Sequence, residues 1–131
     1  MPPSEITTRT TRMYMRPDGI VVSANFPNTG EQTLADAKEN IRALATVAGG
    51  ARVPLYLDST APMTGEAQKY YLSAESHRHC IAVAIAAGNV LSRVLANLFI
   101  PIQRQPVPMR LFGTEAEALA WLHQMKAGPK K

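Results

Sequence analysis

Cysteine, aromatic residues and long apolar runs are all scarce in this chain of 131 residues. The single cysteine, Cys80, excludes an internal disulfide, and its apolar neighbours predict a buried thiol rather than a reactive one. The longest apolar run, residues 80–87, is far shorter than the roughly 20 residues that a membrane-spanning helix needs. The first ten residues have no apolar core of the signal-peptide kind. We therefore expect a cytoplasmic protein without a membrane span.

The formal charge of +4 is not concentrated on one surface. Basic residues lie near the beginning and at the end of the chain, and elsewhere they are scattered singly. No aromatic residues are interleaved with them to stack on bases. The sequence therefore argues against a nucleic-acid partner and favours a charge that promotes solubility.

With aromatic residues at 6% and hydrophobic residues at 46%, the core has to be built mainly from aliphatic side chains. A chain of this length can bury such a core as one domain without a disulfide or a metal. We expect a flexible arm at 1–10, a single domain at 11–126 and a flexible tail at 127–131.

Apolar residues recur with a period of two in some segments and with helical spacing in others. The turn R-P-D-G predicts an antiparallel hairpin between two early strands. Strands are predicted at 11–16, 20–24, 53–57, 80–87 and 109–112, and helices at about 34–48, 64–75, 91–98 and 115–125. Strands that alternate with helices predict an α/β fold, here a mainly parallel sheet of about five strands with an antiparallel N-terminal edge hairpin and about four helices.

The strand at 53–57 is short, apolar and flanked by turn residues, as expected for a central strand of a parallel sheet. Asp58, Ser59 and Thr60 follow it directly, and Thr64 can cap the next helix. Binding groups in such sheets gather beyond the carboxyl ends of the strands. These four residues are therefore candidates for a functional site.

The chain resembles the STAS superfamily, which includes the bacterial anti-sigma-factor antagonists and the cytoplasmic domains of sulfate transporters. More narrowly, it resembles the SpoIIAA-like group of small bacterial proteins of unassigned function. The resemblance covers about residues 11–126. It is carried by P-L-Y-L-D-S-T at 54–60, E-A-Q-K-Y-Y at 66–71, L-S-R-V-L-A-N-L-F at 91–99 and M-R-L-F-G-T-E-A-E-A-L-A-W-L at 109–122.

In antagonist-type STAS proteins, a serine or threonine at the start of the helix after the central strand is phosphorylated by a partner kinase, which controls docking. The resemblance places such a switch between Asp58 and Thr64. Two features depart from the family pattern, because Met63 stands where the antagonists have a second acidic residue and the connection is shorter. The simpler interpretation is that Thr64 is a helix cap and that Ser59 and Thr60 are turn residues.

Two further surfaces are candidates for binding. Gly88 and Asn89 precede the third predicted helix and could offer backbone N–H groups to an anion, although Gly-Asn is also an ordinary turn. No glycine-rich phosphate motif is present. Arg93 and Asn97 share a helical face next to Phe99, and this mixed surface could bind a partner chain or a second copy of the protein.

Metal binding and catalysis receive little support from the sequence. His77, His79 and Cys80 are close together, but no second cluster supplies the remaining ligands of a zinc site, so both histidines are expected on a polar loop. Ser59, Asp58 and one of these histidines could form a hydrolytic triad on paper, yet the G-x-S-x-G motif is absent.

The sequence thus predicts a non-enzymatic regulatory or protein-interaction module without a cofactor or a metal, acting on another protein or as a homodimer. The alternative is a binding domain for a small anionic or amphipathic ligand at the strand ends near Asp58, Gly88 and Asn89.

Overall fold

Six strands form one sheet and lie side by side in the order of the sequence. The computed structural model describes residues 4–26, 29–58, 63–86 and 107–126. The first two pairings are antiparallel, and the other three are parallel. The strands are β1 (Glu5–Thr7), β2 (Thr11–Met15), β3 (Val21–Asn25), β4 (Val53–Leu57), β5 (Cys80–Ala86) and β6 (Met109–Phe112). The predicted α/β fold is confirmed, with one strand more than expected.

The described residues contain four helices: α1 (Leu34–Val47), α2 (Gly65–Tyr71), α3 (Ala74–His77) and α4 (Glu115–Lys126). Thr33 and Asp36 form a capping box, with the Asp36 N–H donating to the Thr33 hydroxyl at 3.2 Å and the Thr33 N–H donating to the Asp36 carboxylate at 2.9 Å. Gly49 and Gly50 end α1 with positive φ angles of 65° and 84°. The predicted helix at 91–98 lies outside the described residues.

The sheet has a hydrophobic cluster on each face because successive strand residues point to opposite sides. Leu55 packs with α1 residues such as Leu44, whereas its neighbour Tyr56 packs with Leu122 of α4. Helices α1 and α2 therefore cover one face, and α4 covers the other. Since most of these side chains are nearly inaccessible to solvent, burial on both faces accounts for the apolar character of β4 and β5.

Two differences from the predicted elements concern the N-terminal segment and the second helix. Within 1–10, where the sequence predicted a flexible arm, Glu5–Thr7 form β1, and Thr8 and Thr10 are buried. The single helix predicted at 64–75 is divided, because the hydroxyl of Ser73 donates to the carbonyl of Tyr70 at 2.6 Å and accepts the N–H of Ser76 at 3.3 Å, which begins α3.

Candidate docking site at the carboxyl ends of the strands

The carboxyl ends of β3 and β4 lie at the same edge of the sheet, and the helices that follow them begin side by side. The Asp58 N–H donates to the Ser23 carbonyl at 3.0 Å, which continues the parallel pairing. Gln32, just before α1, forms a parallel bridge with Met63, just before α2. The N–H of Thr64 donates to the carbonyl of Gln32 at 2.9 Å. The backbone thus holds the beginnings of α1 and α2 together.

Thr64 is the N-cap of α2, as predicted. Its backbone is extended, with φ −68° and ψ 161°, and its hydroxyl accepts the N–H of Ala67 at 3.1 Å. The residue is only partly exposed. A hydroxyl in this position satisfies one of the unpaired N–H groups of the first helical turn, which is typically worth about 1 kcal/mol.

Asp58 is exposed, and its carboxylate accepts a hydrogen bond from the Tyr56 hydroxyl at 3.2 Å. Burial raises the pKa of Tyr56, and the nearby negative charge of Asp58 raises it further. Since Tyr56 belongs to the face covered by α4, the Asp58 side chain lies on that face, whereas Thr64 begins a helix on the other. The structure therefore does not bring these two predicted site residues together.

The other predicted site residues lie outside the described residues. They are Ser59, Thr60, Gly88, Asn89, Arg93, Asn97 and Phe99. Of the predicted switch and ligand sites, the structure therefore describes Asp58 and Thr64.

The two histidines lie at the opposite end of β4 from Asp58. The N–H of Val53, the first residue of that strand, donates to the His79 carbonyl at 3.1 Å. At about 3.3 Å per residue, the strand separates this end from Asp58 by roughly 17 Å. Asp58 and the early histidines are therefore too far apart to be two members of one hydrolytic triad. Within the described ranges, no group of three or more metal-binding side chains occurs.

The sequence predicted His77 on a polar loop, but the residue lies in α3 and is only 3% exposed. The predicted burial of Cys80 is confirmed, since the residue is 3% exposed. Burial raises the pKa of its thiol to about 12. A thiol with such a pKa is almost wholly protonated at neutral pH and is a poor nucleophile.

Sequence reasoning missed a closed ring of hydrogen-bonded polar side chains that lies beside this edge, between the sheet and helices α1 and α2. We call it the polar ring. Its members are Thr10, Thr11, Asn25, Gln32, Asn40 and Tyr71, and Thr8 is attached to it through Asn40.

The bonds of the polar ring join distant parts of the chain. The Tyr71 hydroxyl donates to Gln32 Oε1 at 2.7 Å, and Gln32 Nε2 donates to Asn25 Oδ1 at 3.2 Å. Asn40 Nδ2 donates to the Tyr71 hydroxyl at 2.9 Å and to the Thr10 hydroxyl at 3.1 Å. One signal for the ring was present in the sequence, because Asn40 interrupts the apolar stripe of α1 between Ala37 and Leu44.

Residues 13–126 match the model of a family described as a domain of unknown function, DUF7793. The chain belongs to the DUF7793 family. No curated protein matches this DUF7793 chain significantly.

Two solved structures are similar to the DUF7793 chain. One is the crystal structure of an uncharacterized protein of the DUF3478 family, with a SpoIIAA-like fold, from Shewanella loihica PV-4. It is 18% identical, with a TM-score of 0.55, and the match covers 86% of this chain and 91% of that one. The other is the crystal structure of a protein of unknown function from Arthrobacter sp. FB24. It is 27% identical, with a TM-score of 0.32, and the match covers 85% of this chain and 97% of that one.

 The first structure shows that the DUF7793 chain has a SpoIIAA-like fold.

None of the helices in the described part of the DUF7793 chain has the length and apolar character that crossing a bilayer requires.

The buried imidazole of His77 should make the stability of the DUF7793 chain depend on pH near neutrality. Among the described residues, neither ring nitrogen has a hydrogen-bond partner. Burial lowers the pKa of His77, and the nearby Tyr71 backbone opposes this shift only in part. The unfolded chain therefore takes up this proton at a higher pH than the folded chain does. The free energy of unfolding should therefore be highest above the pKa that His77 has in the unfolded chain, and it should fall as the pH drops through that value.

Urea unfolding at about pH 7.5 and about pH 5.5 measures this difference. The His77→Leu variant should show a smaller loss of stability between the two pH values than the parent chain. His79, whose pKa burial also lowers, keeps the loss from vanishing altogether. An equal loss in the variant and the parent chain would exclude His77 as its source.

Proposed function

We propose that this protein is a non-enzymatic, STAS-like regulatory module that binds another protein through the surface around α2, with Thr64 as a phosphorylation switch. The observation that carries the proposal is the position of the Thr64 hydroxyl, which lies at the start of the helix that follows the central strand. This is the position at which antagonist-type STAS proteins, which the sequence resembles, are phosphorylated.

The local geometry supports a switch at Thr64. Its hydroxyl now accepts a backbone N–H, and a phosphate at the same atom would bring nearly two negative charges to the first turn of α2. The neighbouring residues Gly65, Glu66 and Lys69 are exposed and offer a surface to a partner. The added charge would therefore change the electrostatics of that surface directly.

The contacts of Thr64 support binding rather than catalysis. Its hydroxyl is bonded to a backbone amide, not to a histidine or a carboxylate that could activate it as a nucleophile. The carboxylate of Asp58, the other described candidate, lies on the opposite face of the sheet and accepts a hydrogen bond from Tyr56.

Native mass spectrometry of the protein purified gently from its own host tests this function first. The added mass of another polypeptide, or of a phosphate, is the expected result. An added mass of a few hundred daltons that denaturation removes would instead favour the alternative, a small ligand bound at the strand ends. A bare chain would speak against both.

Once a partner is identified, Thr64→Glu should weaken its binding by roughly tenfold or more, since a charge placed against a docking surface changes affinity strongly. Isothermal titration of the purified pair measures the change. Ser59→Glu is the parallel variant, and unchanged binding by both variants would exclude the switch.

Thr114→Glu is the matched control for Thr64→Glu. Thr114 precedes α4, and its hydroxyl accepts the N–H of Glu117 at 3.2 Å, so the variant loses a similar cap and gains the same charge. Because α4 covers the opposite face of the sheet, this control should leave binding unchanged. Equal weakening by the two variants would point to lost stability rather than to a switch.

A further inference from the structure

Gln32 holds both ends of α2 in the structure. Its carbonyl accepts the N–H of Thr64, before the helix, at 2.9 Å. Its side-chain Oε1 accepts the hydroxyl of Tyr71, the last residue of the helix, at 2.7 Å. The residue is only 3% exposed, so both bonds are shielded from water.

Helix α2 depends on such external contacts for its position. It has seven residues, too few for a helix that is stable by itself in water. Ala67 is its one buried residue, and Tyr70 and Tyr71 are partly buried against the core. Because the apolar contact between α2 and the core is small, the orientation of the helix depends mainly on its polar contacts.

The side chain of Gln32 also connects α2 to the sheet. Its Nε2 donates to Asn25 Oδ1 at the end of β3 at 3.2 Å. One buried amide therefore bonds the last residue of α2 on one side and the last residue of a central strand on the other. Among the contacts of the described residues, no other residue outside α2 is bonded to both ends of the helix.

We propose that Gln32 is a positioning residue for the α2 docking surface, and that its side-chain amide fixes α2 against β3 in the orientation a partner recognises. The consequence for binding rests on the proposed function. The positioning itself does not, and it can be measured without a partner.

Amide hydrogen exchange of the Gln32→Met variant tests the positioning. The N–H of Gln68 and the N–H of Leu72 report on α2, because they donate to the carbonyls of Thr64 and Gln68. The N–H of Val83, which donates to Pro108, reports on the sheet. We expect the two α2 amides to exchange roughly tenfold faster than in the parent chain, which is about the worth of one buried hydrogen bond, and Val83 to change much less.

Thr8→Val is the matched control. It removes buried hydrogen bonds of the same network, from the Thr8 hydroxyl to Asn40 Oδ1 at 2.5 Å and from the Thr11 N–H to the Thr8 hydroxyl at 3.1 Å, and none of them is made to α2. It should not accelerate α2 selectively. Uniform acceleration of all amides in Gln32→Met, or the same pattern in Thr8→Val, would overturn the proposal and leave Gln32 a purely structural role.

Tyr71→Phe gives a second, independent test, including the case in which Gln32→Met does not fold. It removes the same Tyr71–Gln32 bond from the other side and should also accelerate the α2 amides selectively. The two changes together should have less effect than the sum of their separate effects, because they share one bond. Additive effects would overturn the proposal. If α2 is selectively loosened but partner binding is unchanged, the docking function fails while the positioning stands.

Discussion

Asn40→Ala should lower the free energy of unfolding by about 3 kcal/mol, because it removes three buried hydrogen bonds at about 1 kcal/mol each. Asn40 is 4% exposed. Its Oδ1 accepts the Thr8 hydroxyl at 2.5 Å, and its Nδ2 donates to Thr10 at 3.1 Å and to Tyr71 at 2.9 Å. Urea unfolding of the parent chain and the variant measures the loss.

Lys38→Ala is the control for this prediction. It lies two residues earlier in the same helix and is exposed, so its replacement should change stability by about 0.5 kcal/mol or less. A loss below about 1 kcal/mol for Asn40→Ala would contradict the polar ring, since one lost hydrogen bond would already account for it.

The fold was largely predictable because its signals are local. The capping box of Thr33 and Asp36 and the glycines after α1 are read from a few neighbouring residues, and the apolar runs of β4 and β5 require burial on both faces. β1 was missed because three residues show no period, and Glu5–Thr7 has the composition of a loop. Its strand conformation depends on pairing with β2.

The candidate site was predictable only in part, because only some of its contacts are local in the sequence. The cap at Thr64 is a local motif and is confirmed. The polar ring joins residues far apart in the sequence, since Gln32 and Tyr71 are 39 positions apart. No local pattern shows which distant hydroxyl will meet a buried amide, although a buried polar group must find some partner.

Burial explains the other wrong prediction, the polar loop at His77. A histidine followed by Arg78 and His79 is typical of an exposed segment. The short helix α3 nevertheless places the His77 side chain in the interior. The inward position follows from the cap at Ser73, which fixes the phase of α3.

Asp36→Asn should lower the free energy of unfolding by about 2 kcal/mol at neutral pH and remove much of the loss of stability in acid. Asp36 is 6% exposed, and its carboxylate accepts hydrogen bonds from Nε and a terminal nitrogen of Arg9 at 2.8 and 2.6 Å. These bonds to Arg9, aided by those from Thr33, hold the pKa of Asp36 well below its usual range. The stabilisation is modest because the Arg9 side chain is half exposed, so that solvent screens the ion pair.

The sign of the pH dependence follows from the lowered pKa. The unfolded chain protonates Asp36 near its ordinary pKa of about 3.9, before the folded chain does, so the stabilisation is present above that pH and is lost as the pH falls below it. Urea unfolding at about pH 7 and about pH 3 should show a smaller difference for Asp36→Asn than for the parent chain.

Arg9→Met and Asp18→Asn complete the test. Arg9→Met should reduce the same acid-dependent loss, because it removes the partner that lowers the pKa of Asp36. Asp18→Asn should remove a separate part of it, since the pKa of Asp18 is also lowered, with Arg16 opposing the effect of burial. Arg9 lies in the segment for which the sequence predicted a flexible arm. If Arg9→Met leaves the acid dependence unchanged, the ion pair does not form in solution, and the arm prediction would then be correct for this residue.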